Sequence, residues 1–120
     1  MMNFVVELDA RGDENALGLS LRFDPAQWRF EAAVAGRDAR HATLHVNARQ
    51  SANGYVGLAM ALPAGESLPA GAREIIVVSF TPLSRRPARA VEFSDYPVRR
   101  ELVDARANAA PTAFAAPRRK

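Results

Sequence analysis

The 120-residue chain contains no cysteine. A disulfide framework and a metal site built on thiolates are therefore excluded. The chain also lacks any uninterrupted run of the roughly 20 apolar residues that a helix needs to span a bilayer, so we expect no membrane insertion. Residues 1–4 carry neither the basic start nor the apolar stretch of a signal peptide, and we expect none in this chain.

Lysine is almost absent, since Lys120 is the only one among 16 basic residues. The formal net charge of +3 is carried by the last three residues, which leaves residues 1–117 formally neutral. Acidic and basic residues are interspersed over that neutral part, whereas a nucleic-acid-binding domain gathers its basic residues on one face. We therefore expect no nucleic-acid partner, in spite of a sequence pI of 10.2.

Residues suited to catalysis or metal binding are few and badly spaced. His41 and His45 are the only histidines, and on an extended chain they lie about 13 Å apart, too far to share one ion. No serine lies in a Gly-x-Ser-x-Gly elbow. The densest carboxylate cluster, residues 13–15, lacks the spacing of an EF-hand loop, so solvated turn residues are favoured over a calcium site. We expect no enzymatic activity, no metal and no cofactor.

The clearest positive signal is a strand pattern in residues 15–25. Leu17, Leu19, Leu21 and Phe23 occupy every second position, with small or polar residues between them. This period of two is typical of a strand with one face in a core. The pattern ends at Asp24 and the following proline, which withdraws a backbone donor and favours a turn.

Similar short patterns recur along the chain at spacings of roughly ten residues, with turn signals between them. No segment shows a convincing amphipathic helix. The sequence therefore predicts an all-β fold, an antiparallel β-sandwich of eight to nine strands. The predicted strands cover residues 4–9, 16–23, 28–34, 43–47, 55–62, 73–81, 90–93 and 98–104, with residues 112–115 as the candidate for a ninth.

Several strand and turn segments also resemble those of cohesin-type modules, which are β-sandwich domains of bacterial surface and scaffold proteins related in fold to certain carbohydrate-binding modules. The resemblance covers about residues 4–114 and is carried by residues 15–18, 23–25, 44–47, 57–63, 71, 75–80 and 103–105. It implies a jelly-roll-like sandwich of nine strands that binds another protein without catalysing a reaction. In cellulosomal members this partner is a dockerin, a small calcium-loaded helical domain. The resemblance also implies an extracellular or cell-surface location.

We predict that the partner binds one sheet face. Alternation in the fifth and sixth predicted strands places Ala59 and Ala61 outward, and it places Ile75 and Val77 outward beside them. Small and branched apolar side chains next to one another would form a flat apolar surface, which usually marks an interaction site. The alternative is that another part of a longer surface protein covers this face, in which case the domain is a structural spacer.

Carbohydrate binding is a second alternative, because Trp28 and Tyr55 could belong to an aromatic platform on which sugars stack. For Trp28 the competing interpretation is packing at the edge of the core, since it shares its alternation with Phe30.

The end of the chain suggests a short final strand. We expect one domain over residues 1–116 and a basic tail over residues 117–120. If residues 112–115 cannot complete a ninth strand, the first strand keeps one bare edge, and such an edge is a template for pairing with another chain. In that case we predict either a monomer of modest stability or a homodimer paired through these edges.

Overall fold

The protein folds into strands joined by turns, and the computed structural model describes residues 1–85 and 91–120. These ranges contain no α-helix, and their one helical turn is of the 3-10 type at Ser51–Asn53. No helix in them could cross a membrane. The strands are β1 (Met2–Ala10), β2 (Glu14–Arg22), β3 (Trp28–Ala35), β4 (Thr43–Asn47), β5 (Tyr55–Ala61), β6 (Gly71–Pro82), β7 (Glu92–Ser94), β8 (Glu101–Asp104), β9 (Ala109–Ala110) and β10 (Phe114–Arg119).

The strands form two antiparallel sheets. The first sheet has the order β10-β1-β6-β3, and the second has the order β4-β5-β2-β8-β9, with β7 also paired to β2. The all-β sandwich predicted from the sequence is confirmed. Of the predicted strands, residue 90 lies outside the described residues, and the segment predicted as 98–104 begins as a strand only at Glu101.

An aromatic cluster fills one end of the core between the sheets. Phe80 is fully buried, and four other aromatic rings contact its ring edge-on. Two of the four also contact each other, and the ring centroids in these pairs are 5.0 to 6.1 Å apart. Edge-to-face contacts are the favoured geometry of aromatic pairs and add to the free energy gained from burial. The four rings belong to Phe4, Phe23, Trp28 and Phe30.

The prediction that Ile75 faces outward is wrong. Val6 of β1 pairs with Ile76, but Glu7 pairs with Glu74, which leaves Ile75 as the extra residue of a β-bulge. A bulge sets two residues against one and shifts the alternation of the strand by one position. Ile75 and Ile76 are consequently both buried in the core.

The final strand is longer than predicted, and all residues of the expected basic tail but Lys120 belong to it. β10 runs to Arg119 and pairs with β1, where Phe4 lies opposite Arg119. Two basic side chains at this end have acidic partners: Arg118 of β10 bonds Glu7, and Nζ of Lys120, directly after β10, lies 3.5 Å from the carboxylate of Glu74. Strand β1 therefore has neighbours on both sides, and the bare edge that supported the homodimer does not exist.

Candidate functional site

The outer face of the second sheet carries a flat patch of small residues. Ala61 pairs with Ala16 across β5 and β2, and Ala59 pairs with Gly18 one step further along. Ala61 is exposed, whereas Ala16 and Ala59 are half-buried. We call these three alanines the alanine floor. It is bordered on the β4 side by Thr43 and His45, which pair with Ala61 and Ala59.

A segment that was predicted to begin a strand crosses the middle of this face instead. Residues 95–100, here called the strap, lie over the backbone of β2 and β5. A Cβ atom added to Gly57 would lie 2.6 Å from Cγ2 of Val98, and one added to Gly18 would lie 3.1 Å from the carbonyl oxygen of Arg99. The close approach of the strap thus leaves no room for a Cβ at Gly57 unless Val98 shifts, and only a tight fit for one at Gly18.

The strap divides the outer face into two regions. On one side lies the alanine floor. On the other, where β2 ends and β5 begins, Tyr55 pairs with Arg22, and Arg22 pairs with Glu92 of β7. Tyr96 of the strap contacts the ring of Tyr55 edge-on at 5.2 Å between centroids.

The four residues predicted to bind the partner do not share one surface. Ala59 and Ala61 lie on the outer side of the second sheet, as expected from their alternation. Val77 belongs to the first sheet, where it pairs with Val5 and with Val34, and Ile75 is in the core. The prediction treated β5 and β6 as neighbours, but the two strands are in different sheets.

The outer face of the first sheet carries a single row of apolar residues, narrower than the alanine floor. Val5 is buried, Val77 is half-buried, and only Val34 is well exposed, at 58 %. A polar border begins at Glu31, which accepts hydrogen bonds from Nε of Arg29 and Oγ1 of Thr81, both at 2.8 Å. These two hydrogen bonds lower the pKa of Glu31.

Two open clefts flank Pro25 at the end of the sandwich. The first has a volume of about 570 Å³ and is lined in part by Tyr55. The second has a volume of about 410 Å³ and includes Trp28, whose side chain is nearly buried in the core, and the exposed Leu83. Trp28 and Tyr55 therefore do not form the single aromatic platform considered from the sequence.

Within residues 1–85 and 91–120 no group of three or more metal-ligating side chains is placed to hold an ion. In the carboxylate cluster of residues 13–15, Glu14 is 1 % exposed and accepts hydrogen bonds from the backbone N–H groups of Arg11, Gly12 and Asp13. Burial raises the pKa of Glu14, but these N–H donors outweigh it and the pKa lies below its ordinary value. This carboxylate stabilises a turn.

Sequence reasoning missed the strap and the polar residues of the first cleft. One signal for the strap was present: Gly18, Ser20 and Gly57 are small residues on the outer side of two neighbouring strands, a track on which backbone can pack closely. The cleft residues carried no such signal, because turns commonly contain Asp, Asn and Pro.

The chain is similar to known proteins in structure but not in sequence. No protein-family model matches the chain, and no curated protein sequence matches it. Two solved structures are similar at 10% sequence identity. The first is the sixth cohesin from scaffoldin B of Acetivibrio cellulolyticus in complex with a variant Cel5 dockerin, with a TM-score of 0.62 over 83% of this chain and 72% of that one.

The second is a CaDoc0917–CaCohA2 complex, with a TM-score of 0.64 over 83% of this chain and 73% of that one. At such identity the likeness is one of fold. The chain therefore has the β-sandwich fold of a cohesin domain.

Proposed function

We propose that this domain is a non-catalytic protein-docking module and that its partner is a dockerin-like domain bound on the alanine floor. The proposal is supported by the fold, because the similar scaffoldin B cohesin is in complex with a dockerin. The observation that carries the choice of face is the flat outward patch of the half-buried Ala16 and Ala59 and the exposed Ala61 on a regular sheet.

The alanine floor suits a helical partner for physical reasons. Alanine loses no side-chain entropy when it becomes buried, so covering it costs little free energy beyond rigid-body association. Small side chains allow a helix to approach the sheet closely, and none of the three floor residues carries a charge that would need desolvation. His45 and Thr43 supply polar groups at the border, where hydrogen bonds set orientation.

Two exposed alanines in strands allow a matched test. Ala61→Arg places a long cation on the alanine floor, and Ala32→Arg places the same side chain on β3 of the other sheet. Binding of purified dockerin domains, loaded with calcium, would be measured by calorimetry on the full chain. We expect Ala61→Arg to weaken binding at least about tenfold, or about 1.4 kcal/mol, while Ala32→Arg leaves it unchanged.

Equal loss of binding in both variants would contradict the face assignment, and so would loss in Ala32→Arg alone. Failure of every dockerin to bind the unaltered chain would contradict the docking function and favour a structural spacer.

An extracellular or cell-surface location belongs to the same proposal and would be checked by fractionating cells that express the native gene.

A further inference from the structure

The first cleft lies on the other side of the strap from the alanine floor and has no role in the docking function proposed above. Its volume of about 570 Å³ is in the range of sites that hold small molecules. It is lined by Arg22, Phe23, Asp24, Pro25, Asn53, Tyr55 and Glu92.

One wall of the cleft is a fixed aromatic ring. Tyr55 is half-buried at the start of β5, and the perpendicular ring of Tyr96 supports it at 5.2 Å between centroids. Among the described residues no hydrogen-bond partner is found for the Tyr55 hydroxyl. A tyrosine supplies a rigid amphipathic contact at low entropic cost, with an apolar ring face and a polar tip.

The charges in the cleft disfavour an anionic ligand. Arg22 is the only cation among the described residues that line it, and Nη2 of Arg22 is already bound to the carboxylate of Glu92 at 2.8 Å. Asp24 adds a second carboxylate, so an anion would meet a net negative lining. The amide of Asn53 both donates and accepts hydrogen bonds. Such a mixture of donors and acceptors matches neutral hydroxyl groups, each of which can also do both.

The cleft is held in shape by its own backbone. Asp24 begins a tight turn in which its carbonyl oxygen accepts the N–H groups of Gln27 and Trp28, and its carboxylate accepts the N–H of Ala26 at 2.9 Å. On the other side, the N–H of Phe23 donates to the carbonyl oxygen of Gly54 at 2.9 Å. A ligand would therefore bind without the loss of conformational entropy that ordering these loops would otherwise cost.

From this geometry we propose that the first cleft is a binding site for a neutral sugar unit of an oligosaccharide, independent of the alanine floor. The sugar ring stacks on Tyr55, and its hydroxyl groups bond to Arg22, Asp24, Asn53 and Glu92. An oligosaccharide can enter because the cleft is open to solvent. The domain would then hold a protein partner and a glycan on the two sides of the strap.

The test uses the full chain and four probes added separately: cellohexaose, xylohexaose, chitohexaose and an oligogalacturonate as the acidic control. Titrations are followed by amide chemical shifts and by calorimetry. We expect one or more of the neutral sugars to bind and to shift the amide signals of Asn53 and Tyr55. Tyr55→Ala should weaken binding at least about tenfold, and Arg22→Met should weaken it as well, with the fold of each variant checked by its amide spectrum.

Ala61→Arg serves as the matched control, because it lies on the same face beyond the strap and should leave sugar binding unchanged. The proposal is overturned if no neutral sugar binds at millimolar concentration, or if only the acidic probe binds. It is also overturned if the shifted signals map to the second cleft beside Leu83. These outcomes are independent of dockerin binding, so failure of either function leaves the other testable.

Discussion

Ser20 and Val98 are joined by two hydrogen bonds through a single hydroxyl group. Oγ of Ser20 donates to the carbonyl oxygen of Val98 at 2.7 Å and accepts the N–H of the same residue at 2.8 Å. Ser20 is fully buried under the strap. One side chain of β2 thus satisfies both backbone polar groups of a residue 78 positions later and fixes the strap on the sheet.

Replacing Ser20 by alanine should destabilise the fold. The substitution removes the partner of both the N–H and the carbonyl oxygen of the half-buried Val98, and a buried group left unsatisfied costs about 1–3 kcal/mol. We expect the free energy of unfolding, measured by urea denaturation, to fall by at least about 1 kcal/mol. Ser79→Ala is the control, because the hydroxyl of Ser79 is partly exposed and bonds the side chain of Asn3 on the other sheet. A Ser20→Ala variant as stable as the control would contradict this role of the hydroxyl.

Gly57→Ala should displace the strap. The new Cβ would lie 2.6 Å from Cγ2 of Val98 and 3.0 Å from Cγ of Pro97, both shorter than a van der Waals contact, and such overpacking typically costs about 1–3 kcal/mol. Val98→Ala removes one of the opposing groups, so the double variant should recover part of the lost free energy of unfolding. Strictly additive effects in this double-mutant cycle would show that positions 57 and 98 are not energetically coupled.

Glu14→Gln should lower stability at neutral pH, and the loss should shrink in acid. The pKa of Glu14 is lower in the folded protein than in the unfolded chain, because backbone N–H donors outweigh the effect of burial. The stability contributed by the carboxylate is therefore complete above the unfolded pKa of about 4.3 and is lost as the pH falls through the folded pKa. Thermal melts of both proteins from pH 7 downwards would measure this, with Glu66→Gln at an exposed position as control. A difference between wild type and Glu14→Gln that does not change with pH would contradict this account.

Removing residues 114–120 should expose the edge of β1 and make the chain associate. The deletion takes away the pairing partner of Phe4 and Leu8 and the contact between the rings of Phe114 and Phe93, whose centroids are 5.8 Å apart. We expect the free energy of unfolding to fall by about 2 kcal/mol or more and the sedimentation coefficient to rise with concentration. Arg119→Ala, which keeps the strand, is the control. A shortened chain that stays monomeric and equally stable would show that β10 neither stabilises the fold nor prevents association through the edge of β1.

The strands that were predicted well are those with one face in the core. In β2 and β5 core-facing and outward-facing residues alternate, although the outward Gly18, Ser20 and Gly57 are themselves buried under the strap. Leu19 pairs with Leu58 in the interior as the pattern requires. The run of residues 75–78 has no alternation, so its phase cannot be taken from local sequence. It is decided by the register with β1 and by the N–H of Gly36, which donates to the carbonyl oxygen of Ile75 at 2.7 Å.

The candidate site was predicted only in part, because it depends on which strands are neighbours. Ala59 and Ala61 were placed on the correct side of β5, but Val77 is separated from them by the whole thickness of the sandwich. The order of strands is a property of long-range pairing, which alternation within one strand does not contain. The strap was missed for the same reason, since its partners Gly18, Ser20 and Gly57 are all distant in sequence.

Lys120 lies beside Glu74 of the first sheet, and this position has a practical consequence for attaching the protein to a surface. Lys120 is the only lysine, and its N–H donates to the carbonyl oxygen of Asn3 on the first sheet. Amine-reactive coupling would act at this side chain and at the amino group of Met1, which precedes β1, so both attachment points lie beside the first sheet. Biosensor surfaces made in this way would leave the alanine floor, on the outer face of the second sheet, free to meet its partner.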